Sequence, residues 1–243
     1  MNNRSRTLRI VLGLLIYLAG IIVSLAVSAT MLWGEMEARL YTQQAGDERL
    51  HIECPLMIAS WETATIHAVV TNTLPDQATK PQVNAFISRP AEPRVVTETL
   101  ELAPRENRAL QWNVDRSDMV FDRVILVNIL QRPYRALPSR QGACSILVYS
   151  LFGLGGGGTL ILLVSIGVSA LLMGAGWLFT QLRPLNDFTK SLVQLNGIFL
   201  CLILLGLVTA LLRSWGWTLL LDAAAVLAIT TGGVEVFFSR RNR

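Results

Sequence analysis

The sequence predicts a membrane α-helical protein with four transmembrane helices and one all-β sandwich domain on the extracytoplasmic side. Three observations predict it. Four long apolar stretches divide the chain, the middle third alternates with period two between prolines, and Lys and Arg gather at alternate ends of the apolar stretches. Composition agrees: 52% of the 243 residues are hydrophobic and only 16% charged, against about 25% charged in soluble domains.

Residues 1–9 are expected in the cytoplasm, because Arg4, Arg6 and Arg9 precede the first stretch. Residues 10–33 carry no charge; as a helix they measure roughly 36 Å, enough for a ~30 Å hydrocarbon core. A cleaved signal peptide is the alternative, with small residues at Val27-Ser28-Ala29. The stretch is longer than the usual core of about 7–15 residues, which favours an uncleaved anchor. Both alternatives send the following segment outside.

Residues 34–49 are polar and of mixed charge, and are expected to form a stalk that extends the first helix outward. The sandwich spans residues 50–152. Leu50, Ile52, Cys54 and Leu56 alternate with His51, Glu53 and Pro55, and further runs follow at 63–72, 82–88, 94–102, 108–114, 122–130 and 142–150. Turn material such as Leu74-Pro75-Asp76 and Arg132-Pro133 separates them. About seven short strands at this spacing suit a sandwich, and recurrent proline excludes helices.

A glycine-rich linker, 153–158, joins this domain to the second span at 159–182. It lacks the Lys-Ser/Thr of a phosphate loop and is expected to act as a hinge. A cytoplasmic loop (183–191), the third span (192–212), an external turn (213–216), the fourth span (217–238) and a cytoplasmic C-terminus (239–243) complete the chain. Trp215 and Trp217 fall at interface depth. The predicted cytoplasmic ends hold Arg4, Arg6, Arg9, Arg183, Lys190, Arg240, Arg241 and Arg243, whereas the short external turn holds only Arg213. That bias fits an even number of spans with both termini inside.

The net charge of +4 does not mark a nucleic-acid binder. Residues 34–144 are net negative, with 12 Lys/Arg against 14 Asp/Glu, and the remaining basic residues flank spans. Cys54 and Cys144 lie in the first and last strand runs, on the oxidising side, where a disulfide is expected; two buried thiols are the alternative. Cys201, within the third span, is expected to be an apolar filler. His51 and His67 sit on separate strand runs without ligand spacing or a nucleophile pattern, so no metal, cofactor or catalytic residue is expected.

Small residues recur at intervals of four in three spans: Gly20, Ser24 and Ser28; Ala170 and Gly174, with Ser165 and Ser169; and Ala224, Ala228 and Gly232. Such stripes let helix backbones approach closely, within a bundle or against other membrane subunits. Asp222 and Glu235, both near the ends of the fourth span, are candidates for intramembrane polar contacts. The plainer alternative is interfacial anchoring, with Asp222 paired to Arg213 and Glu235 to Arg240.

In the middle domain, Val70-Thr71-Asn72 closes one run before a loop. Val83 to Ser88 form the next, and Leu102-Ala103-Pro104-Arg105 ends a later one, before Trp112-Asn113-Val114. These residues resemble the Ig-like or CARDB-like adhesion modules of bacterial surface proteins, in which a strand ends in Val-x-Asn and a later one in a Leu-x-Pro-Gly turn. Here Arg105 replaces that glycine. The resemblance implies an Ig-like sandwich with a binding or spacer role and no catalytic residues. The expected function is a non-catalytic membrane scaffold or accessory subunit, with the lipid bilayer and other membrane subunits, or copies of itself, as partners. A transporter or energy-converting subunit is the alternative.

Overall fold

Uncharged stretches in which leucine, alanine and other good helix formers predominate fold as helices. They give α1 (Asn3–Leu40), α2 (Gly156–Gln181), α3 (Asp187–Leu211) and α4 (Trp215–Arg241). The computed structural model describes residues 3–41, 46–181 and 187–241, with side chains for 7–41, 46–181, 193–228 and 230. Three segments are long and apolar enough to cross a membrane: Thr7–Leu40, Gly156–Gln181 and Val193–Leu211. In α4 the described apolar portion, Trp215–Ala228, is shorter, so among the described residues three helices, where four were expected, are long and apolar enough to cross a membrane. Residues 187–191, expected in the cytoplasmic loop, already belong to α3, and residues 182–186 lie outside the described ones. The turn expected at 213–216 is tighter than expected. Arg213 takes a left-handed φ of 54°, and the Thr218 amide donates to the Ser214 carbonyl 3.0 Å away, so α4 opens at Trp215.

The chain divides into two units: Met1–Leu32 with Ile161–Arg243, and Trp33–Leu160. The first is helical, its core formed by Tyr17 and Ile21 of α1, Leu171 of α2, Phe199 and Ile203 of α3 and Ala225 of α4.

The second unit contains β1 (Glu48–Arg49), β2 (His51–Glu53), β3 (Met57–Ile58), β4 (Ala64–Thr71), β5 (Gln82–Ile87), β6 (Arg94–Thr99), β7 (Asn107–Val114), β8 (Val124–Gln131) and β9 (Arg140–Val148). The larger sheet runs β1-β9-β8-β5-β6, with β3 also pairing β9; the smaller runs β2-β4-β7. Alternation builds the core between them. Ile66, Ala68 and Val70 of β4 point inward against Val83, Ala85 and Ile87 of β5, and Ile125, Val127 and Ile129 of β8.

Nine strands replace the seven expected: the first run, 50–56, holds only β2, while β1 forms from residues 48–49 of the expected stalk and β3 follows the run at 57–58. β1 pairs parallel to β9, β2 leaves to pair antiparallel with β4, and β3 returns to β9. Pro55 sits at the second switch, where its missing N–H leaves no ladder bond to lose. Gly142 permits the crossing: a Cβ there would lie 2.7 Å from Ile52 Cγ2 and 2.9 Å from the Leu50 carbonyl oxygen.

Two expected connectors prove to be packed structure. Residues 34–40 are not a free polar stalk; they are the end of α1, lying on the outer face of the larger sheet. Gly34 meets Ser145 on β9, and the Ala38 carbonyl accepts from Asn128 Nδ2 on β8 at 3.3 Å. Four residues of helix rise about 6 Å and two residues of strand about 6.6 Å, so Gly34 and Ala38 match Ser145 and Ala143, the cross-strand partner of Asn128. This cover explains why β8 is buried along both faces. Likewise, glycines 156–158 are the first turn of α2, not a hinge.

The Val70-Thr71-Asn72 and Leu102-Ala103-Pro104-Arg105 segments meet. Asn72 Nδ2 donates to the Ala103 carbonyl at 2.9 Å and to the Gln77 carbonyl at 2.8 Å. The turn after Ala103 closes with the Glu106 amide donating to the Ala103 carbonyl, and Arg105 takes φ 58°. Proline second and a left-handed residue third is a type II turn, which favours glycine at the third place. Arg105→Gly is therefore expected to stabilise the domain by about 0.5–1 kcal/mol, read as a rise in the thermal midpoint of the detergent-solubilised protein.

Candidate functional site

The β unit is closed covalently. Cys54, just after β2 of the smaller sheet, is bonded to Cys144 of β9 in the larger one, with Cα atoms 6.6 Å apart. The bridge crosses the core at the point where the chain passes between sheets, and Cys144 is fully buried. Cys201 is a free cysteine exposed on α3.

The same unit supplies the start of α2. That helix has no acidic residue in its first turn. Glu62, from the turn after β3, provides one: its Oε2 accepts from the Ala59 amide at 2.7 Å and the Gly156 amide at 2.9 Å. The carboxylate thus satisfies an orphan helix N–H and faces the positive end of the helix dipole. A Cβ on Gly156 would fall 2.2 Å from Ile58 Cα, so only glycine fits this approach. The Ala59 and Gly156 amides hold the Glu62 carboxyl below its ordinary value of 4.5. A depressed folded value means that the stabilisation is present above the unfolded value and is lost as pH falls through the folded one. Glu62→Gln is expected to cost about 1 kcal/mol at neutral pH, as lost caps do. It should also flatten the loss of stability below about pH 5, as read from thermal midpoints in detergent across pH.

In the helical unit the small residues expected at helix contacts are distributed unevenly. Gly20 and Gly174 lie where α1 and α2 meet: a Cβ on Gly20 would come 2.5 Å from the Leu171 nitrogen, and one on Gly174 2.6 Å from the Tyr17 nitrogen. Ser24 and Ser28 are buried. Ala170 is half-buried, whereas Ser165 and Ser169 are on the exposed face of α2. On α4 Ala225 is buried and Ala224 and Ala228 are half-buried, while the packing at Gly232 lies outside the described residues. Gly13, Gly167 and Gly206 also make close contacts that the interval of four did not reveal. A Cβ on them would approach Trp177, Ser24 and Asp222 at 2.9, 2.8 and 2.7 Å.

Asp222 is half-buried, and its Oδ2 accepts from Ser28 Oγ at 2.7 Å, across 194 residues of chain. That hydrogen bond comes from α1. Asp222 Oδ1, Ser24 Oγ and Tyr17 Oη are buried without a hydrogen-bond partner. Tyr17, Ser24 and Ser28 follow one buried stripe of α1, in steps of seven and four. The side chain of Glu235 lies outside the described ones.

Among the described residues, no group of His, Cys, Asp and Glu could hold a metal ion. His51 faces Glu53 at 3.3 Å on the exposed face of β2. His67 is half-buried on β4, opposite Gln111 of β7. Asp118 is buried within ion-pair distance of Arg89 and Arg94, at 3.4 and 3.2 Å.

Neither a protein-family model nor a curated protein matches the chain. Among solved structures, one similar chain is a Paenibacillus cycloisomaltooligosaccharide glucanotransferase complexed with cycloisomaltoheptaose. Identity is 22% and the TM-score 0.34, over 43% of this chain and 14% of that one. Another is a CARDB domain from Pyrococcus furiosus in complex with di-metal ions, at 14% identity and TM-score 0.31, over 43% of this chain and 94% of that one. A third is the Pseudomonas fluorescens alkylpurine DNA glycosylase AlkC bound to DNA, at 15% identity and TM-score 0.32, over 50% and 36%. At these scores none of the three assigns this chain an activity.

Proposed function

We propose that this protein is a non-catalytic, four-span membrane scaffold or accessory subunit. In this reading both termini are cytoplasmic and the β-sandwich is presented outside the cytoplasm to a protein or envelope partner. One observation carries the reading. The segments by which the chain enters and leaves the β unit, residues 33–40 and 156–160, are part of that unit's own packing, through Ala38, Gly34, Glu62 and Gly156. A domain without free linkers at its attachment points is suited to hold a surface in place. The Cys54–Cys144 bridge favours an oxidising compartment for that surface.

One surface open to a partner is the edge strand β6, which ends the larger sheet and alternates exposed Val95, Thr97 and Thr99 outward. Such edges accept an added strand. The test is co-purification in mild detergent from the native membrane, read by mass spectrometry. A specific partner that disappears in a Val95→Lys variant with an intact disulfide supports the reading; a clean monomer with no crosslinked neighbour sinks it.

The second reading, a subunit of a transporter or energy-converting complex, is favoured by the Tyr17, Ser24, Ser28 and Asp222 stripe inside the helical unit. Loss of proton or ion flux in Asp222→Asn, with the helices still packed, would decide for it.

A further inference from the structure

Among the described residues, exposed large apolar side chains in the loops of the β unit are confined to one end. Phe152 is 86% exposed, Phe121 60%, Trp61 59% and Tyr149 52%. Their loops follow β3, precede β8 and follow β9, and hydrogen bonds tie them together. The Tyr149 amide donates to the Ile58 carbonyl at 2.9 Å and the Val148 amide to the Arg123 carbonyl at 2.8 Å. The opposite end is different. Its loops, 72–81 and 132–139, expose Asp76, Lys80, Arg132 and Arg135, while Leu137 is buried and Tyr134 and Leu74 are half-buried.

The aromatic end is also where the apolar stretches attach. Phe121 packs edge-on against Trp33, the last residue of the first uncharged stretch, with ring centroids 5.6 Å apart. Trp61 adjoins Glu62, which caps the first turn of α2, and Phe152 lies four residues before that helix begins. Phe121 and Phe152 both adopt left-handed φ values of 52°. This conformation costs a non-glycine residue about 1 kcal/mol or more, and both rings stay largely exposed, Phe121 despite its contact with Trp33. The loop 89–93, which joins β5 to β6 at the same end, is charged and proline-rich, and its Arg89 pairs with Asp118 at 3.4 Å.

We propose that Trp61, Phe121 and Phe152 form an aromatic collar that seats the β unit in the headgroup layer of the bilayer entered by α1 and α2. Large amphipathic rings favour that layer. Asp122 and Arg123, exposed beside Phe121, are placed to remain among the headgroups. The inference rests on the membrane-scaffold reading and names lipid as what covers this end.

The test uses the full chain with Cys201→Ser, reconstituted into vesicles of phosphatidylcholine and phosphatidylglycerol. A nitroxide label is placed at one of Phe121→Cys, Phe152→Cys, Asp76→Cys or Leu172→Cys, and an intact disulfide on a non-reducing gel checks the fold. Collision with oxygen and with a water-soluble nickel chelate reads depth. Labels at 121 and 152 are expected to show at least about threefold less nickel collision than the label at 76, with oxygen collision retained, as for groups buried in the headgroup boundary. Nickel access equal to that at 76 overturns the collar. Low collision with both reagents also overturns it, since that marks cover by protein. A label at 172 as water-accessible as that at 76 would instead overturn the membrane reading itself, which keeps the two failures separate.

Discussion

Replacing Cys54 and Cys144 together with alanine lowers the stability of the β unit by about 4–5 kcal/mol. The bridge spans 90 residues, and chain entropy released in the unfolded state grows with the logarithm of that length, reaching about this figure for a closed loop of such size. The bond also joins the two sheets across the core, at a site where Cys144 is wholly buried. Loss of the sulfurs therefore adds a small cavity to the entropic effect. For a unit of this length the thermal midpoint should fall by about 15 °C. Differential scanning of the detergent-solubilised protein measures it. Reductant should lower the wild-type midpoint by a similar amount and leave the double variant unmoved. A change of only a few degrees would mean that the sheets are held by packing alone.

The bridge was legible because a compartment argument and two strand positions suffice to pair two cysteines. The helices were legible for a similar reason, since lipid admits uncharged residues and a long uncharged stretch has few alternatives. What escaped was everything that depends on meeting a distant segment. Residues 34–40 look like a solvated stalk because Glu35, Glu37 and Arg39 dominate the eye. The informative residues were Gly34 and Ala38, small and one turn apart, which leave room for β8 and β9 to lie underneath. The glycines at 155–158 suggested flexibility, because nothing local announces that Glu62, 94 residues away, caps the helix they begin. Asp222 was recognisable as a polar residue in an apolar segment, but its partner Ser28 stands 194 residues off. Arg105 shows a further case: sequence marked it as a departure from a glycine, and the backbone pays the left-handed strain there all the same.

Gly20→Val and Gly174→Val should each destabilise the α1–α2 contact by roughly 3 kcal/mol or more, the upper range for overpacking. Two effects compete at these positions. A glycine in a helix interior is about 1 kcal/mol worse than alanine, so filling it would ordinarily help. Here the space is taken by backbone: a Cβ on Gly20 meets the Leu171 nitrogen at 2.5 Å, and one on Gly174 meets the Tyr17 nitrogen and Cα at 2.6 and 2.7 Å. A main-chain atom cannot rotate aside as a side-chain tip can, so relief requires the helices to separate and the dispersion contacts along both faces weaken together. Gly176 supplies the control on the same helix, since nothing lies within 4 Å of its Cβ position; Gly176→Ala should be neutral or slightly stabilising. Unfolding of the detergent-solubilised chain in increasing dodecyl sulfate, followed by circular dichroism, separates the outcomes. Equal midpoints for Gly20→Val, Gly174→Val and Gly176→Ala would show that α1 and α2 do not depend on this contact, and the small-residue spacing would then owe nothing to packing within the chain.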